Sequence, residues 1–351
     1  MIWQLWERAL IGEPVSIGGE DFDPIALLSL YVKRSLGLLF SEIKKERLKG
    51  IMFTVPELTM RALEVMEEIS ANIDLGNISI GLQGREESIY YYILYQDRAL
   101  WNYDVLVYDF NRSNLLSYRF HVNKMTKPKV AFVNGERYDV AGLTESSLDM
   151  RFEEIVKENT RGHIISLAYL LGGGFDGDWA NASLKELCRN RRAFKGNNLY
   201  SRGACYSMLE KLSKKSVAKD LIFLGKDKLR ANIGLNVIKN GEENYLALLD
   251  GGESWFESKK TVDLILDEGN SFVLILTPLD GRNVRNVEIV LEGLNERERK
   301  TTRIRLELIM ESEDSLRVNA TDLGFGEFVP ATDRIFTKQI SLNTNEVIKD
   351  E

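Results

Sequence analysis

The stretch "SLAYLLGGGFDGDW", residues 166–179, decides how the first half of this chain is interpreted. An apolar run ends in Gly172, Gly173 and Gly174, and an acidic, aromatic segment then opens a predicted helix. Backbone N–H groups at a strand-to-helix turn can bind an anion. Glycines at such a turn also permit close packing of helix against strand. The stretch therefore predicts an α/β unit and leaves two roles open for the turn, an anion site or a tight connection.

Strand and helix patterns alternate around this stretch, up to about residue 217. Asp23 is a predicted N-cap with Pro24 at the first helical position, and a second helical pattern runs from Leu58 through Ile69. The alternation predicts a mixed sheet flanked by helices, with the segment 122–145 rich in loops. Strands are predicted near 50–55, 78–82, 104–110, 115–122 and 164–170, and further helices near 86–96, 146–159, 180–188 and 202–214.

The period of the apolar residues changes to two after Leu221. In "TRIRLELIM", residues 302–310, Ile304, Leu306 and Leu308 share one face of a predicted strand. Pairs such as Asn240-Gly241 indicate turns between short strands. This half predicts an antiparallel β-sandwich. The predicted domains are therefore 1–217 and 218–351.

Composition narrows the function classes. The 351 residues carry a net charge of −7, and the one dense basic spot, Arg189, Arg191 and Arg192, is typical of a solvated helix end, so no nucleic acid is expected. Two cysteines and two histidines lack the spacing of a zinc site, and no metal site is predicted. No signal peptide and no apolar run near 18 residues is evident. We expect a cytoplasmic protein with no membrane partner.

Four segments of the first half resemble, in order, the superfamily of actin, sugar kinases and DnaK-type chaperones. They are "IMFTVPELTMRAL" (51–63), "GREESIYYYILY" (84–95) with Glu86 and Ser88, "VLVYDFNRSNLLSYRF" (105–120), and 165–188 with "LYSRGACYSM" (199–208), where Gly203 and Ala204 match. In the second half, Ala320, Asp322 and Gly324 resemble an Ala-x-Asp-x-Gly pattern of the chaperone's substrate-binding β-domain. The block 175–206 most resembles a bacterial family distantly related to DnaK.

The resemblance implies a truncated actin-like, DnaK-like (ribonuclease-H-like) ATPase-type domain, incomplete because its N-terminal strands and first phosphate hairpin are lacking, followed by a DnaK-like β-sandwich. It also implies nucleotide-binding roles. Gly172, Gly173 and Gly174 would contact adenosine, and Asp109 would orient a metal-bound water. Asn111 to Asn114 replace the glycines of the second phosphate hairpin, although Arg112 could pair with a phosphate. No catalytic residue is assigned.

Three functions remain open at this point. The first is a DnaK-like protein that has lost nucleotide turnover and acts by binding a protein or an extended peptide. The second is an ATP-binding or ATP-hydrolysing fragment, with ATP and magnesium as cofactors of a complete chain. The third is a purely structural interaction module whose sandwich adds peptides to an edge strand. Because the first hairpin is missing, an enzyme is not the favoured reading.

Overall fold

The computed structural model describes residues 4–73, 75–111, 114–213, 217, 219–279, 283–295, 297–327 and 329–342. The chain forms two compact units. The first comprises Met1–Val122 and Ala131–Lys219, and the second comprises Asn123–Val130 and Asp220–Glu351. The second unit is therefore discontinuous in sequence. It takes a short segment from the middle of the first half of the chain.

Seven α-helices occur in the described part of the first unit. They are α1 (Leu5–Ile11), α2 (Pro24–Glu42), α3 (Met60–Ile73), α4 (Arg85–Leu94), α5 (Glu145–Thr160), α6 (Asn181–Leu187) and α7 (Leu199–Ser213). Helix α2 begins as predicted, because the Asp23 carboxylate accepts hydrogen bonds from the backbone N–H groups of Ile25 and Ala26. Helix α3 buries Ala62, Val65 and Ile69, the predicted apolar face.

The strands fall into several sheets. They are β1 (Val15–Ile17), β2 (Glu20–Phe22), β3 (Gly50–Val55), β4 (Ser79–Gly84), β5 (Asp104–Asn111), β6 (Asn114–Asn123), β7 (Lys129–Asp139), β8 (Ile165–Leu171), β9 (Arg192–Lys195), β10 (Leu221–Phe223), β11 (Ala231–Lys239), β12 (Glu242–Leu249), β13 (Lys259–Leu266), β14 (Ser271–Pro278), β15 (Arg285–Val290), β16 (Thr302–Met310), β17 (Ser315–Asp322) and β18 (Ile335–Ser341). The molecule is thus α/β in its first unit and β-rich in its second.

The five predicted strands of the first unit all form, but they do not share one sheet. Strands β3 and β4 pair in parallel as a separate two-stranded sheet. The larger sheet contains the order β7-β6-β5-β8-β9, in which β5, β8 and β9 run parallel. The prediction of a single mixed sheet was therefore wrong. The prediction that 122–145 is loop-rich was wrong as well, because β7 occupies eleven of its residues.

The second unit contains two four-stranded antiparallel sheets that share an apolar core. Their orders are β12-β11-β14-β15 and β13-β16-β17-β18. Leu274 of the first sheet and Leu306 and Leu308 of the second are fully buried in one cluster. The period-two prediction for β16 is confirmed, since its residues alternate between buried and more exposed positions. Asn240 and Gly241 both have positive φ angles at the turn between β11 and β12, as this type of hairpin requires.

Helix α2 qualifies the expectation about membranes. By length and composition it is long and apolar enough to cross a bilayer, although the core helix of a soluble protein can pass the same test. The expectation that no apolar run approaches 18 residues was therefore wrong for this helix. Lys33 and Arg34 lie within it.

Candidate functional site

The residues singled out by the sequence meet where β5 and β8 end. These strands are parallel neighbours, and Asp109 is paired with Leu171 in their register. Gly172 follows directly, so the carboxylate and the glycine turn lie at the same edge of the sheet. Ligands of open α/β sheets bind outside the carboxyl ends of parallel strands. The structure thus brings Asp109 and Gly172–Gly174 together, whereas Arg112 lies outside the described residues.

Two of the three glycines are required by packing. Gly172 has φ 90° and ψ 150°, a conformation that favours glycine. A Cβ atom on Gly172 would lie 2.2 Å from the carbonyl oxygen of Phe110, and one on Gly174 would lie 2.3 Å from the Phe110 ring. A Cβ on Gly173 would meet nothing closer than Asp176 Oδ2 at 3.6 Å. The turn is therefore a close connection onto β5, and Gly173 alone is free of that constraint.

Contacts within the unit occupy two donors that an anion could otherwise use, the Gly172 N–H and the Lys195 ammonium group. The Gly172 backbone N–H donates to Asn197 Oδ1 at 2.9 Å. Lys195 Nζ donates to the Phe175 carbonyl oxygen at 2.8 Å and pairs with Asp176 at 2.8 Å. Trp179 Nε1 donates to the carbonyl oxygen of Gly174 at 2.8 Å. Together, these contacts hold the glycine turn against the neighbouring segments that carry Lys195, Asn197 and Trp179.

The Asp109 carboxylate is also held by a side chain of its own unit. The Tyr200 hydroxyl donates to Asp109 Oδ2 at 2.8 Å. Burial raises the pKa of Tyr200 far above its ordinary value, and the nearby Tyr118 and Asp109 add to that rise. Tyr200 therefore stays protonated and remains a donor. Arg85 lies over the Tyr200 ring, with Cζ 5.6 Å from its centroid.

Ser88 and Gly203, two residues that the family resemblance identified in the sequence, lie where α4 meets α7. Ser88 is fully buried, accepts a hydrogen bond from Gln83 Nε2 at 2.7 Å, and lies 2.8 Å from the Thr54 hydroxyl. A Cβ on Gly203 would lie 1.9 Å from the Ser88 carbonyl oxygen. Gly203 is therefore a contact glycine between the two helices. The small-residue match at 203 has a packing role here.

The pattern at the end of β17 forms a buried ion pair. Arg297 binds Asp322 through two hydrogen bonds of 2.7 Å. The carboxylate also accepts bonds from the Gly324 N–H and from the N–H and hydroxyl of Thr332. The Arg297 guanidinium holds the pKa of Asp322 well below its usual range. A Cβ on Gly324 would lie 2.4 Å from the backbone nitrogen of Ala331, so this motif shapes the chain between β17 and β18.

Sequence reasoning missed Asn197, Lys195 and Tyr200. All three lie in "KGNNLY", residues 195–200, which runs from the last residue of β9 into the first turn of α7. Because β9 is parallel to β8, its end reaches the same sheet edge as the glycine turn. A prediction of the short strand at 192–195 would have located these residues. Among the described residues, no group of three or more His, Cys, Asp or Glu side chains could hold a metal ion.

Comparison with known families adds a classification. The model described as "Family of unknown function (DUF5716) C-terminal" matches residues 1–226, which is more than half of the chain. The chain belongs to the DUF5716 family. In this DUF5716 protein a second model, "Domain of unknown function (DUF8552)", matches residues 228–342. No curated protein matches the chain. The DUF8552 match covers all eight strands of the sandwich.

Proposed function

We propose that this DUF5716 protein is a DnaK-like protein that has lost nucleotide turnover and acts by binding a protein or an extended peptide. In this proposal the first unit is an actin-like domain and the sandwich is a DnaK-like β-domain. The observation that carries the loss of turnover is the pair of contacts at the sheet edge. Asp109 is bound by Tyr200, and Gly172 is bound by Asn197.

Two contacts among the described residues argue against a site for ATP and magnesium. A carboxylate that orients a metal-bound water needs its oxygens directed at that water, and Asp109 Oδ2 accepts from a neutral tyrosine of its own chain. An anion at the glycine turn needs backbone donors, and the Gly172 N–H is already used. Lys195 at the same turn is paired with Asp176 at 2.8 Å, so its charge is already balanced by a carboxylate. Phosphates would meet carboxylates here without a described cluster of cations.

The sandwich supplies the partner-binding half of the proposal. Each of its sheets ends in two edge strands, β12 and β15 in one and β13 and β18 in the other. Edge strands present backbone N–H and C=O groups that an extended segment can pair with. Ile238 on β11 and Tyr245 on β12 are 62% and 49% exposed and supply apolar surface beside one such edge.

Calorimetric titration with magnesium–ATP tests the first part of the proposal. We expect dissociation constants weaker than millimolar, equivalent to less than about 4 kcal/mol of binding free energy. Gly173→Val is the informative variant, because Gly173 has room for a side chain and a change there disturbs a ligand before it disturbs the fold. Micromolar binding that Gly173→Val abolishes would instead support the ATP-binding alternative, with Asp109 and Gly172–Gly174 as its site.

A peptide array probed with the full chain tests the second part. We expect weak, selective binding to extended apolar peptides, reduced by Ile238→Asp and Tyr245→Asp. The full chain is needed because residues 123–130 belong to the second unit, where the Lys129 N–H donates to the Asp220 carbonyl oxygen. Met125→Asp, at a 92% exposed residue of that segment, is the matched control. Uniform background on all apolar peptides would favour the purely structural role.

A further inference from the structure

An unassigned surface of the first unit combines an open sheet edge, a row of aromatic rings and two arginines that have no carboxylate partner among the described residues. Strand β9 is the last strand of its sheet and pairs only with β8 among the described strands. Its outer side therefore presents backbone donors and acceptors in an extended conformation. Three of its four residues, Arg192, Phe194 and Lys195, are exposed.

The aromatic rings continue from β9 across α4 and α7. We call this row the aromatic strip, and its members are Phe194, Tyr169, Tyr92, Tyr206 and Tyr95. Phe194 is exposed, Tyr92, Tyr95 and Tyr206 are half-buried, and Tyr169 is buried, so four of the five rings can contact a partner. Phe194 lies 5.8 Å from Tyr169, and Tyr169 lies 5.3 Å from Tyr92, measured between ring centroids. Tyr95 and Tyr206 are stacked at 4.3 Å with an interplanar angle of 2°. Arg202 connects the two parts, since its Cζ is 5.6 Å from the Tyr92 centroid and 5.9 Å from that of Tyr206.

The strip and two arginines share a face of the sheet. Phe194 contacts Tyr169, and side chains alternate along a strand, so Arg192 projects to the same face as Phe194. Arg202 donates to the hydroxyl of Tyr206 at 2.9 Å. Within the described residues, neither Arg192 nor Arg202 has a carboxylate partner.

The local charge has the opposite sign to the whole chain. Residues 185–195 contain five cations and one carboxylate, in a protein of net charge −7. Arg189 is paired with Glu186, and Lys195 is paired with Asp176. Glu210 is hydrogen-bonded to Tyr95 of the strip. The cations beside the strip that are left for a ligand are therefore Arg192 and Arg202. Cations on an edge strand keep two copies of that strand apart, because like charges would face each other. An acidic strand removes this repulsion and would place its carboxylates beside Arg192 and Arg202, while its apolar side chains cover the rings.

We propose that the β9 edge and the aromatic strip form a docking site for an extended acidic segment of a partner protein. The segment adds to β9 as a further strand. Backbone hydrogen bonds to β9 hold it, the rings pack against its apolar side chains, and the two arginines select its carboxylates. This site lies in the first unit and uses neither the strands of the sandwich nor the carboxylate of Asp109.

Fluorescence polarisation with the full chain tests the proposal. The probe is fluorescein-labelled VEVEVEVE, compared with VKVKVKVK of the same length. We expect the glutamate peptide to bind at least tenfold more tightly at low ionic strength, with binding that weakens as salt is added. Equal binding of both peptides, or binding of neither, would overturn the proposal.

Charge-reversal variants locate the site. Arg192→Glu with Arg202→Glu should weaken binding of the glutamate peptide at least tenfold and strengthen binding of the lysine peptide. The matched control is Arg34→Glu with Arg161→Glu, two exposed cations of the same unit away from the strip, and we expect no change. Phe194→Ser, which leaves the charge unchanged, should weaken binding about fivefold. Circular dichroism verifies that each variant folds. An equal effect of the control pair would show nonspecific attraction and refute the site.

Two further probes test whether the peptide binds by strand addition and whether the site prefers an acidic peptide to a nucleic acid. Replacing the central valines of the glutamate peptide by proline removes backbone donors, and we expect at least a tenfold loss. Unchanged binding of the proline peptide would exclude strand addition. Stacked rings with arginine can also bind single-stranded nucleic acid. Tighter binding of a ten-nucleotide uridine RNA than of the glutamate peptide would overturn the assignment to an acidic protein segment.

Discussion

Two aspartates at the ends of strands, Asp109 and Asp322, have opposite surroundings. Asp322 is fully buried and is held by a bidentate arginine and by Gly324 and Thr332. Asp109 is half-buried, and the bond from the Tyr200 hydroxyl is its described side-chain contact. Asp322 lies two residues before Gly324, and Asp109 lies beside Gly172, which follows its strand partner Leu171. The difference shows that Asp322 is part of the packed framework of its unit, whereas the Asp109 carboxylate is held by a tyrosine hydroxyl that a single substitution can remove.

The largest expected effect follows from removing the Asp322 carboxylate. Asp322→Ala leaves Arg297 buried without its partner, and we expect a loss of about 3–5 kcal/mol in the free energy of unfolding of the second unit. Denaturant-dependent hydrogen exchange of peptides from β16 and β17 measures it. The control is Asp263→Ala, which removes an exposed pair with Arg305 and should change little. Similar losses in both variants would show that the buried pair has no special role.

The next effect concerns the glycine turn beside Asp109. Gly172→Ala should destabilise the first unit by about 2–4 kcal/mol, because a Cβ meets the Phe110 carbonyl and φ 90° disfavours alanine. Gly173→Ala should change stability by less than about 0.5 kcal/mol. Exchange of peptides from β5 and β8 measures both. Equal sensitivity of the two glycines would mean that the turn is not packed as described.

Lowering the pH should reduce the stability of the second unit through protonation of the Asp322 carboxylate. Its pKa is depressed in the folded chain, so its stabilisation is fully present above the unfolded pKa of about 3.9 and is lost as pH falls below that value. We expect the second unit to lose at most about 1.4 kcal/mol per pH unit from this group below pH 3.9. Asp322→Asn should lack that component. A variant with the same acid dependence as the parent would assign it to other carboxylates.

The smallest effect is at Tyr200. Tyr200→Phe removes the donor to Asp109, and we expect a cost of about 0.5–1.5 kcal/mol, because water can replace the hydroxyl at a half-buried carboxylate. Magnesium–ATP should still bind no better than millimolar. If this variant alone acquired micromolar affinity, the tyrosine would be a reversible block on a competent site, and the loss of nucleotide turnover would need to be reconsidered.

The sequence predicted the elements better than their assembly. Short apolar runs rich in β-branched and aromatic residues identified the strands at 50–55 and 104–110, because that information is local in the sequence. The pattern could not show that β3 and β4 pair apart from β5, since strand partners depend on contacts distant in sequence. Strand β7 was missed because its second half is exposed and lacks an apolar face.

The candidate site was predicted only in part, because its residue types are visible in the sequence but its long-range contacts are not. Asp109 and the glycines were visible as residue types after strands, and their proximity follows from the parallel pairing of β5 and β8. The contacts that decide their role come from Asn197 and Tyr200, whose positions depend on the four-residue strand β9. Strands that short carry too little periodicity to be distinguished from loops.

The segment 123–130 has a consequence for the order of events during synthesis. Lys129 and its ion-pair partner Asp220 are 91 positions apart in the chain. At about 5–20 residues per second, the ribosome needs roughly 5–18 s to make the residues between them. During that interval the ribosome makes residues 131–219, the second segment of the first unit, while residues 123–130 have no unit of their own to join. The nascent chain must therefore keep residues 123–130 outside the early core until the sandwich emerges to receive them.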